Sequence, residues 1–120
     1  MPSAADLTSF IASSFRSVWA LDLLLLLKRE DRPCSRDELV ALMRASPSVV
    51  ENALDALVVA GLAGMDGGEA RYMPTSPDIA ALVEETEQLY ASRPDHVRRL
   101  IVASSNKGLA AFSNAFRLKD

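Results

Sequence analysis

Two helix start signals near the middle of the chain constrain the fold more than any other feature of the sequence. Ser35 is followed by Glu38 in the pattern S-x-x-E, in which each side chain accepts a hydrogen bond from the other residue's backbone N–H group at a helix N-terminus. Ser46 precedes Pro47, and proline is well tolerated at the first helical position because its missing N–H group would have no partner there. The two signals predict two short helices joined by a tight turn.

Apolar residues follow both start signals at helical spacing, and a glycine-rich turn comes after them. Gly61 is placed to end the second helix in the left-handed conformation that glycine adopts most easily. The triplet Asp-Gly-Gly at 66–68 then separates two short runs, 62–65 and 69–73, in a pattern typical of a β-hairpin. The inward-facing positions are predicted to be Leu39, Val40 and Met43 in the first helix and Val50, Ala53, Leu54, Leu57 and Val58 in the second.

Helix, tight turn, helix and glycine-tipped hairpin follow one another as in the winged helix-turn-helix domain, and here the chain resembles bacterial transcription regulators of the MarR, PadR and ArsR kind. Residues 54–62, LDALVVAGL, are similar to the end of the recognition helix in those families, and the hairpin corresponds to their wing. The resemblance implies a mainly α fold with a small β-hairpin wing, in which N- and C-terminal helices flank the helix-turn-helix. Winged helices also serve as protein-interaction modules, so the resemblance constrains the fold more closely than the function.

The N-terminal part of the chain is predicted to form a helical segment that is too apolar to stand alone. Residues 4–31 follow a helical pattern with a break around Ser13-Ser14, and consecutive leucines occupy 23–27. A helix that is apolar on every side must be covered on every side. We expect the winged-helix core to cover one side, and either the C-terminal helices or a second subunit to cover the other. Because homodimers are common in this fold, we favour a homodimer.

The C-terminal part of the chain repeats the same start signals. Ser76 and Pro77 predict a helix that runs to about Ser92, and Pro94 begins a further helix. The stretch 109–118 is amphipathic but too short to be stable alone, so it is expected to dock on the body or on a partner subunit. Its apolar positions include Leu109, Phe112 and Phe116.

Charge divides the sequence into an acidic body and a basic tail. We expect a winged-helix domain over residues 1–92, with the helix-turn-helix at 35–61 and the wing at 62–73, and a basic C-terminal helical extension over 93–120. Residues 1–92 carry 7 lysines and arginines against 14 acidic residues, whereas residues 93–120 carry 6 against 2. The net charge of −3 argues against avid non-specific DNA binding, but it allows basic groups to gather on one face.

The resemblance implies that the second helix, residues 47–60, is a recognition helix whose N-terminal part would lie in the major groove of double-stranded DNA. Serine hydroxyl groups can donate hydrogen bonds to phosphates, asparagine can pair with adenine, and arginine binds phosphates. The candidate DNA-binding residues are Arg36, Arg44, Ser46, Ser48, Asn52 and Arg71. The function predicted on this basis is that of a small bacterial DNA-binding transcription regulator.

The charges of the same region favour an alternative in which the winged helix binds protein and no longer binds DNA. The sequence has no lysine or arginine between Arg44 and Arg71, and the carboxylates of Glu51 and Asp55 would face phosphates unfavourably. The hairpin turn is acidic as well. The residues of this alternative protein-interaction surface are Glu51, Asp55, Arg98, Arg99, Phe112 and Phe116.

Residues suited to catalysis or metal binding are scarce. The single cysteine, Cys34, and the single histidine, His96, belong to no recognisable catalytic or metal-ligand motif, so we expect no enzyme, no metal and no cofactor. Cys34 abuts a helix N-terminus, which would suit a redox sensor, but a small half-buried structural residue is the more common role. Phe15, Trp19 and Leu23 could line a pocket for a small apolar effector, although residues at this spacing are more often plain core.

The sequence gives no sign of export or of membrane insertion. The N-terminal residues MPSAADLTSF lack the basic start and the apolar run of a signal peptide. The apolar run at 18–27 is interrupted by Asp22 and is well short of the roughly 20 residues needed to span a bilayer. We therefore expect a cytoplasmic protein without membrane contact.

Overall fold

The computed structural model describes residues 4–104 of the chain. In this part the protein is mainly helical with one antiparallel sheet of two strands, which confirms the predicted fold class. The predicted helix at 109–118, with Phe112 and Phe116, lies outside the described residues. The helices are α1 (Ala4–Ser14), α2 (Val18–Glu30), α3 (Arg36–Met43), α4 (Pro47–Val59), α5 (Pro77–Ser92) and α6 (94–104), and the strands are β1 (Ala63–Asp66) and β2 (Glu69–Tyr72).

Side-chain caps form at the helix starts that the sequence predicted. Ser35 Oγ accepts a hydrogen bond from Glu38 N at 3.2 Å, and the Glu38 carboxylate accepts one from Ser35 N at 3.1 Å, which completes the reciprocal cap of α3. Ser46 and Ser76 are the acceptors that cap α4 and α5, and each is followed by proline. These local bonds fix where the three helices begin, so the sequence could predict those positions.

The N-terminal helical segment breaks into α1 and α2, as predicted. The two helices meet at a bend of 103°, and Ser17 caps α2 by accepting a hydrogen bond from Ala20 N. At the bend the rings of Phe10 and Phe15 meet edge to face, with their centroids 5.9 Å apart. Among the described residues no single helix is long and apolar enough to cross a membrane. Taken together as a bent pair, α1 and α2 have the length and the apolar composition of a membrane span.

Most of the apolar side chains of helix α2 are covered by other parts of the described chain. The helix packs against α4 and β2, and α5 is joined to it by polar contacts. Tyr90 Oη donates to Asp22 Oδ1 at 2.9 Å, and Lys28 Nζ lies 2.8 Å from Glu87 Oε1 and 3.1 Å from Glu84 Oε1. The hydrogen bond to Glu87 raises the pKa of the Lys28 ammonium group. Val83 of α5 is buried in the same core as the leucines of α2. A C-terminal helix thus contributes to the covering that the sequence left open, and the second subunit remains a prediction.

Helix α6 is the described part of the predicted C-terminal extension, and it packs on the body. Val97 and Ile101 are buried in the common core. Near the end of the helix, Ser104 Oγ donates a hydrogen bond to the carbonyl oxygen of Ala12 at 2.8 Å. The extension therefore begins as a helix that joins α1 to the C-terminal half of the protein.

Strands β1 and β2 form the predicted hairpin, with a turn that is shorter than the sequence pattern indicated. Asp66 pairs with Glu69 as the last rung, so the turn itself consists of Gly67 and Gly68. The φ angles of these glycines are 59° and 85°. Positive φ at both central positions is typical of a two-residue hairpin turn, and glycine adopts it without steric cost.

A third segment of chain, which the sequence did not predict, pairs with the hairpin. The backbone N–H and C=O groups of Cys34 both bond to Ala70, each at 2.8 Å. This single rung ties the connection between α2 and α3 to β2. An isolated bridge has no alternating sequence pattern, which explains why it was missed.

Gly61 joins α4 to the hairpin in a conformation that glycine adopts easily. Its φ angle is 77°, which confirms the predicted left-handed cap. A Cβ atom at this position would lie 2.9 Å from Cγ2 of Thr75. The end of α4 and the segment that follows β2 are also bonded directly, since Thr75 N donates to the carbonyl oxygen of Gly61 at 3.0 Å.

We predict that Gly61→Ala destabilises the protein more than Gly68→Ala. Both substitutions force alanine into positive φ, which costs about 1–2 kcal/mol, but no atom lies within 4 Å of a Cβ added at Gly68. Urea unfolding of the two variants measures the difference in the free energy of unfolding. Adding Thr75→Ala to Gly61→Ala is expected to recover the excess loss, and equal losses in the two single variants would contradict the close contact.

Candidate nucleic-acid interface

Helix α4 lies against the core on one face and is open to solvent on the other. Val50, Leu54 and Leu57 are almost completely buried, because the helical period places them together on the side that packs against α2 and α3. Exposed side chains on the other side are Ser48, Asn52, Asp55 and Val59. The first half of the helix therefore presents a polar outer face.

The turn between α3 and α4 brings three of the predicted site residues together. Arg44 ends α3 in the left-handed conformation, with a φ angle of 53°, and its side chain is exposed. Ser46 Oγ accepts the capping hydrogen bond from Val49 N at 3.3 Å and lies 3.2 Å from Ser48 Oγ. Ser46 thus caps α4, and Arg44, Ser46 and Ser48 are all exposed at this turn.

Arg36 and Glu51, to which the sequence assigned opposing effects on DNA binding, form an ion pair. Arg36 Nε on α3 donates to Glu51 Oε1 on α4, and both side chains are about half exposed. An exposed pair of this kind contributes at most about 1 kcal/mol to stability. Its larger effect is on charge, because Glu51 and Arg36 largely cancel each other where α3 meets α4.

A groove separates α4 from the corner where α1 meets α2, and we call it the α4 groove. Its volume is about 530 Å³. The lining residues are Arg16, Ser17 and Trp19 from the corner and Val49, Asn52, Ala53, Asp55, Ala56 and Val59 from α4. Arg16 and Asn52 therefore line one groove, although no sequence motif connects them. Sequence reasoning missed Arg16 because its position depends on the bend of 103° between α1 and α2.

Phe15, Trp19 and Leu23 do not line a common pocket, in contrast to the effector pocket that the sequence suggested. Phe15 and Leu23 are buried in the core. Trp19 is 44% exposed and faces the α4 groove. Helical spacing places residues near one another along a helix, but the packing of α1 and α4 around the corner decides which of them are covered.

The hairpin carries one basic and two acidic side chains near its turn. Arg71 is exposed on β2, opposite Gly64. Asp66 and Glu69 form the rung next to the turn, and both are exposed. The tip of the hairpin is therefore acidic, as predicted, and Arg71 lies behind it.

Of the two basic residues of the alternative protein-interaction surface, Arg98 lies at the contact between α5 and α6, and Arg99 is bonded within α6. The Arg98 guanidinium lies 5.5 Å from the centroid of the Tyr90 ring and 3.3 Å from the Asp95 carboxylate. Arg99 Nε donates to the carbonyl oxygen of Asp95 at 3.3 Å. The acidic members of the same predicted surface, Glu51 and Asp55, lie on α4, so the four members that the structure describes are divided between α4 and α6.

Comparison of the chain with protein-family models, with curated proteins and with solved structures found no match. Within residues 4–104, no group of three or more His, Cys, Asp and Glu side chains is placed to hold a metal ion. The resemblance to winged-helix regulators therefore remains a prediction, with which the helical fold is compatible.

Cys34 has the surroundings of a structural residue. Its side chain is completely buried, and Sγ donates to the carbonyl oxygen of Arg32 at 3.5 Å. Burial raises the pKa of the Cys34 thiol, and the nearby Arg32 guanidinium offsets this only in part. Because the thiolate is the reactive form, a raised pKa and a covered sulfur both disfavour redox sensing.

We predict that Cys34 reacts slowly with a thiol reagent in the native protein near pH 8 and rapidly after unfolding in urea. The raised pKa keeps the thiol protonated, and burial blocks access to the sulfur. Absorbance after addition of a disulfide reagent measures both rates. A Ser48→Cys variant adds an exposed cysteine as a control and is expected to react at once. If Cys34 reacts as fast in the native protein as in the unfolded protein, the redox-sensor hypothesis is restored.

Proposed function

We propose that this protein is a small winged-helix transcription regulator that binds double-stranded DNA through α4. The observation that carries the proposal is the exposed polar face of this helix. Ser48 and Asn52 lie in its first half, which is the part of a recognition helix that contacts base edges in the major groove. The rung at Cys34, helices α3 and α4, and the hairpin follow one another in an order that suits a winged helix.

The individual side chains suit different parts of a DNA site. We assign Asn52 to a base edge, because its amide group can both donate to and accept from adenine. Arg44, at the turn before α4, and Arg71, behind the hairpin turn, are assigned to phosphates, which guanidinium groups bind through paired hydrogen bonds. Arg16 is a further phosphate candidate, since it lines the α4 groove together with Asn52.

The proposed interface has few cations, which sets limits on its affinity. Asp55 on α4 and the acidic hairpin tip would repel phosphates, and the pair between Arg36 and Glu51 contributes little net charge. A homodimer would double the number of phosphate contacts and could place two copies of α4 on successive half-sites. We therefore propose a dimeric, non-catalytic regulator that acts in the cytoplasm and binds DNA weakly outside its specific site.

Fluorescence anisotropy of the full chain with mixed genomic DNA fragments, titrated from low to physiological salt, tests the proposal. The logarithm of the affinity is expected to fall linearly with the logarithm of the salt concentration, and the slope counts the phosphates engaged. Absence of binding even at low salt would overturn DNA binding as the function.

We predict that Arg44→Ala weakens DNA binding and reduces the magnitude of the salt slope by about 1, because one phosphate contact is lost. Arg93→Ala removes the same charge at the junction of α5 and α6 and serves as the matched control. Glu51→Gln is expected to strengthen binding, since it releases Arg36 for a phosphate. Equal losses for the Arg44 and Arg93 variants would mean that only total charge matters and that α4 is not the reader.

A second function is favoured by the acidic side chains around α4. Asp55 is exposed in the α4 groove, where Trp19 and Val59 add exposed apolar surface. Exposed apolar side chains with acidic neighbours would suit a basic protein surface better than DNA. We propose protein binding through α4 as the alternative.

The variant Asp55→Lys separates the two functions, because it has opposite expected effects. It replaces a repulsive charge with an attractive one at the proposed DNA interface, so DNA affinity measured by anisotropy is expected to rise. If α4 instead binds a basic protein surface, the same substitution is expected to abolish that complex. A DNA affinity that Asp55→Lys leaves unchanged would remove α4 from the DNA interface.

A further inference from the structure

A second groove, between α1 and α5, has a strongly acidic lining, and we call it the α1–α5 groove. Its volume is about 900 Å³. Four carboxylates line it, and its lining includes no lysine or arginine. These carboxylates belong to Asp6, Asp78, Glu84 and Glu85. One of the four, Glu84, is paired with Lys28 on α2. The net charge of the α1–α5 groove is still negative, so the groove suits a positively charged occupant.

The same groove also has an apolar floor. Phe10 lines it from α1, with its ring packed on the core, and Leu82 lines it half-buried from α5. Ser9 and Ser13 continue the lining along α1. The apolar floor and the acidic rim together suit an occupant that carries both apolar and basic side chains.

The described chain ends beside this groove. Ser104 Oγ bonds to the carbonyl oxygen of Ala12, and Ala12 is the neighbour of Ser13 at one end of the groove lining. Val97 and Ile101 anchor α6 in the core, so the position of this end is set by the fold. Residues 105–120 continue the chain from this point.

The sequence of residues 105–120 has the chemistry that the groove requires. Its cations outnumber its single acidic residue, Asp120, and its large apolar residues recur at helical spacing. The cations are Lys107, Arg117 and Lys119, and the large apolar residues include Leu109, Phe112 and Phe116. The segment is thus both basic and amphipathic.

The length of this segment also matches the length of the α1–α5 groove. An extended linker at 105–108 reaches about 13 Å, and a helix over 109–118 would be about 15 Å long. The α1 side of the groove, from Ser13 back to Asp6, extends over about 10 Å at the helical rise. The segment can therefore begin at Ser104 and lie along the whole groove.

We propose that residues 105–120 fold back onto their own chain and occupy the α1–α5 groove. Phe112 and Phe116 pack over the apolar floor, and the cations at Arg117 and Lys119 face the acidic rim. The α4 groove is a poorer match, because its charged lining residues are one cation, Arg16, and one anion, Asp55. This docking does not depend on DNA binding.

Paramagnetic relaxation in the full chain tests the docking. A nitroxide is attached to a Ser113→Cys variant, while buried Cys34 stays unlabelled. The strongest loss of amide signal is expected at Ser9, Ser13 and Glu85, whereas Gly67 at the hairpin tip is expected to keep its signal. The strongest loss at the α4 groove, or no localised loss, would overturn the proposal.

A mixing experiment distinguishes docking within one chain from docking onto a second copy. Isotope-labelled protein without nitroxide is mixed with unlabelled protein that carries the nitroxide. No loss of amide signal is expected in this mixture if each segment occupies the groove of its own chain. Loss at Ser9 and Ser13 in the mixture would show exchange between subunits and would contradict the proposal.

Charge variants test why the segment docks there. Glu85→Lys is expected to restore the signals of Ser9 and Ser13 in the nitroxide-labelled protein, and adding Arg117→Glu is expected to make them weak again. Asp66→Lys makes the same charge change at the hairpin and is expected to have no effect. Salt near 1 M, which screens charges beyond about 3 Å, is expected to act like Glu85→Lys. If neither Glu85→Lys nor high salt restores the signals of Ser9 and Ser13, charge does not hold the segment in the groove.

Discussion

The leucines of α2 have to leave water on every side of the helix, and each fully buried leucine contributes about 1.5–3 kcal/mol. Leu21, Leu23, Leu24 and Leu27 have no exposed surface in the folded protein. Helix α4 and strand β2 pack against this helix, and α5 is joined to it by hydrogen bonds and ion pairs. Lys28 is partly buried and its carboxylate partners are more exposed. Ion pairs at the surface contribute about 1 kcal/mol or less, so apolar burial is the larger stabilising contribution.

The exposed face of α4 follows from this burial. Val50 and Leu57 pack against the core. Ser48 and Asn52 lie on the opposite side of the helix and are therefore exposed. The bend between α1 and α2 then places a corner of chain beside that face and creates the α4 groove. The candidate interface is therefore positioned by the same packing that stabilises the fold.

The acidic residues of the body are compensated unevenly. Lys28 neutralises part of the charge of α5 through Glu84 and Glu87, and Arg36 does the same for α4 through Glu51. Four carboxylates line the α1–α5 groove, and Lys28 pairs with one of them, Glu84, whereas the α4 groove is lined by one cation and one anion. The lining of the α1–α5 groove is therefore more acidic than that of the α4 groove, and this difference suits the two grooves to different partners.

Local structure was determined by the sequence alone, because each signal acts through backbone bonds between near neighbours. The caps at Ser35 and Ser46, the left-handed Gly61 and the hairpin all form where the sequence predicted them. Only the tertiary structure decided that α5 is bonded to α2 and which side chains meet around α4. The pair of Arg36 with Glu51, the shared groove of Arg16 and Asn52, and the bridge from Cys34 to Ala70 join segments that no local pattern connects. These contacts arise from the way apolar surfaces pack between distant parts of the chain, which is not encoded in the order of neighbouring residues.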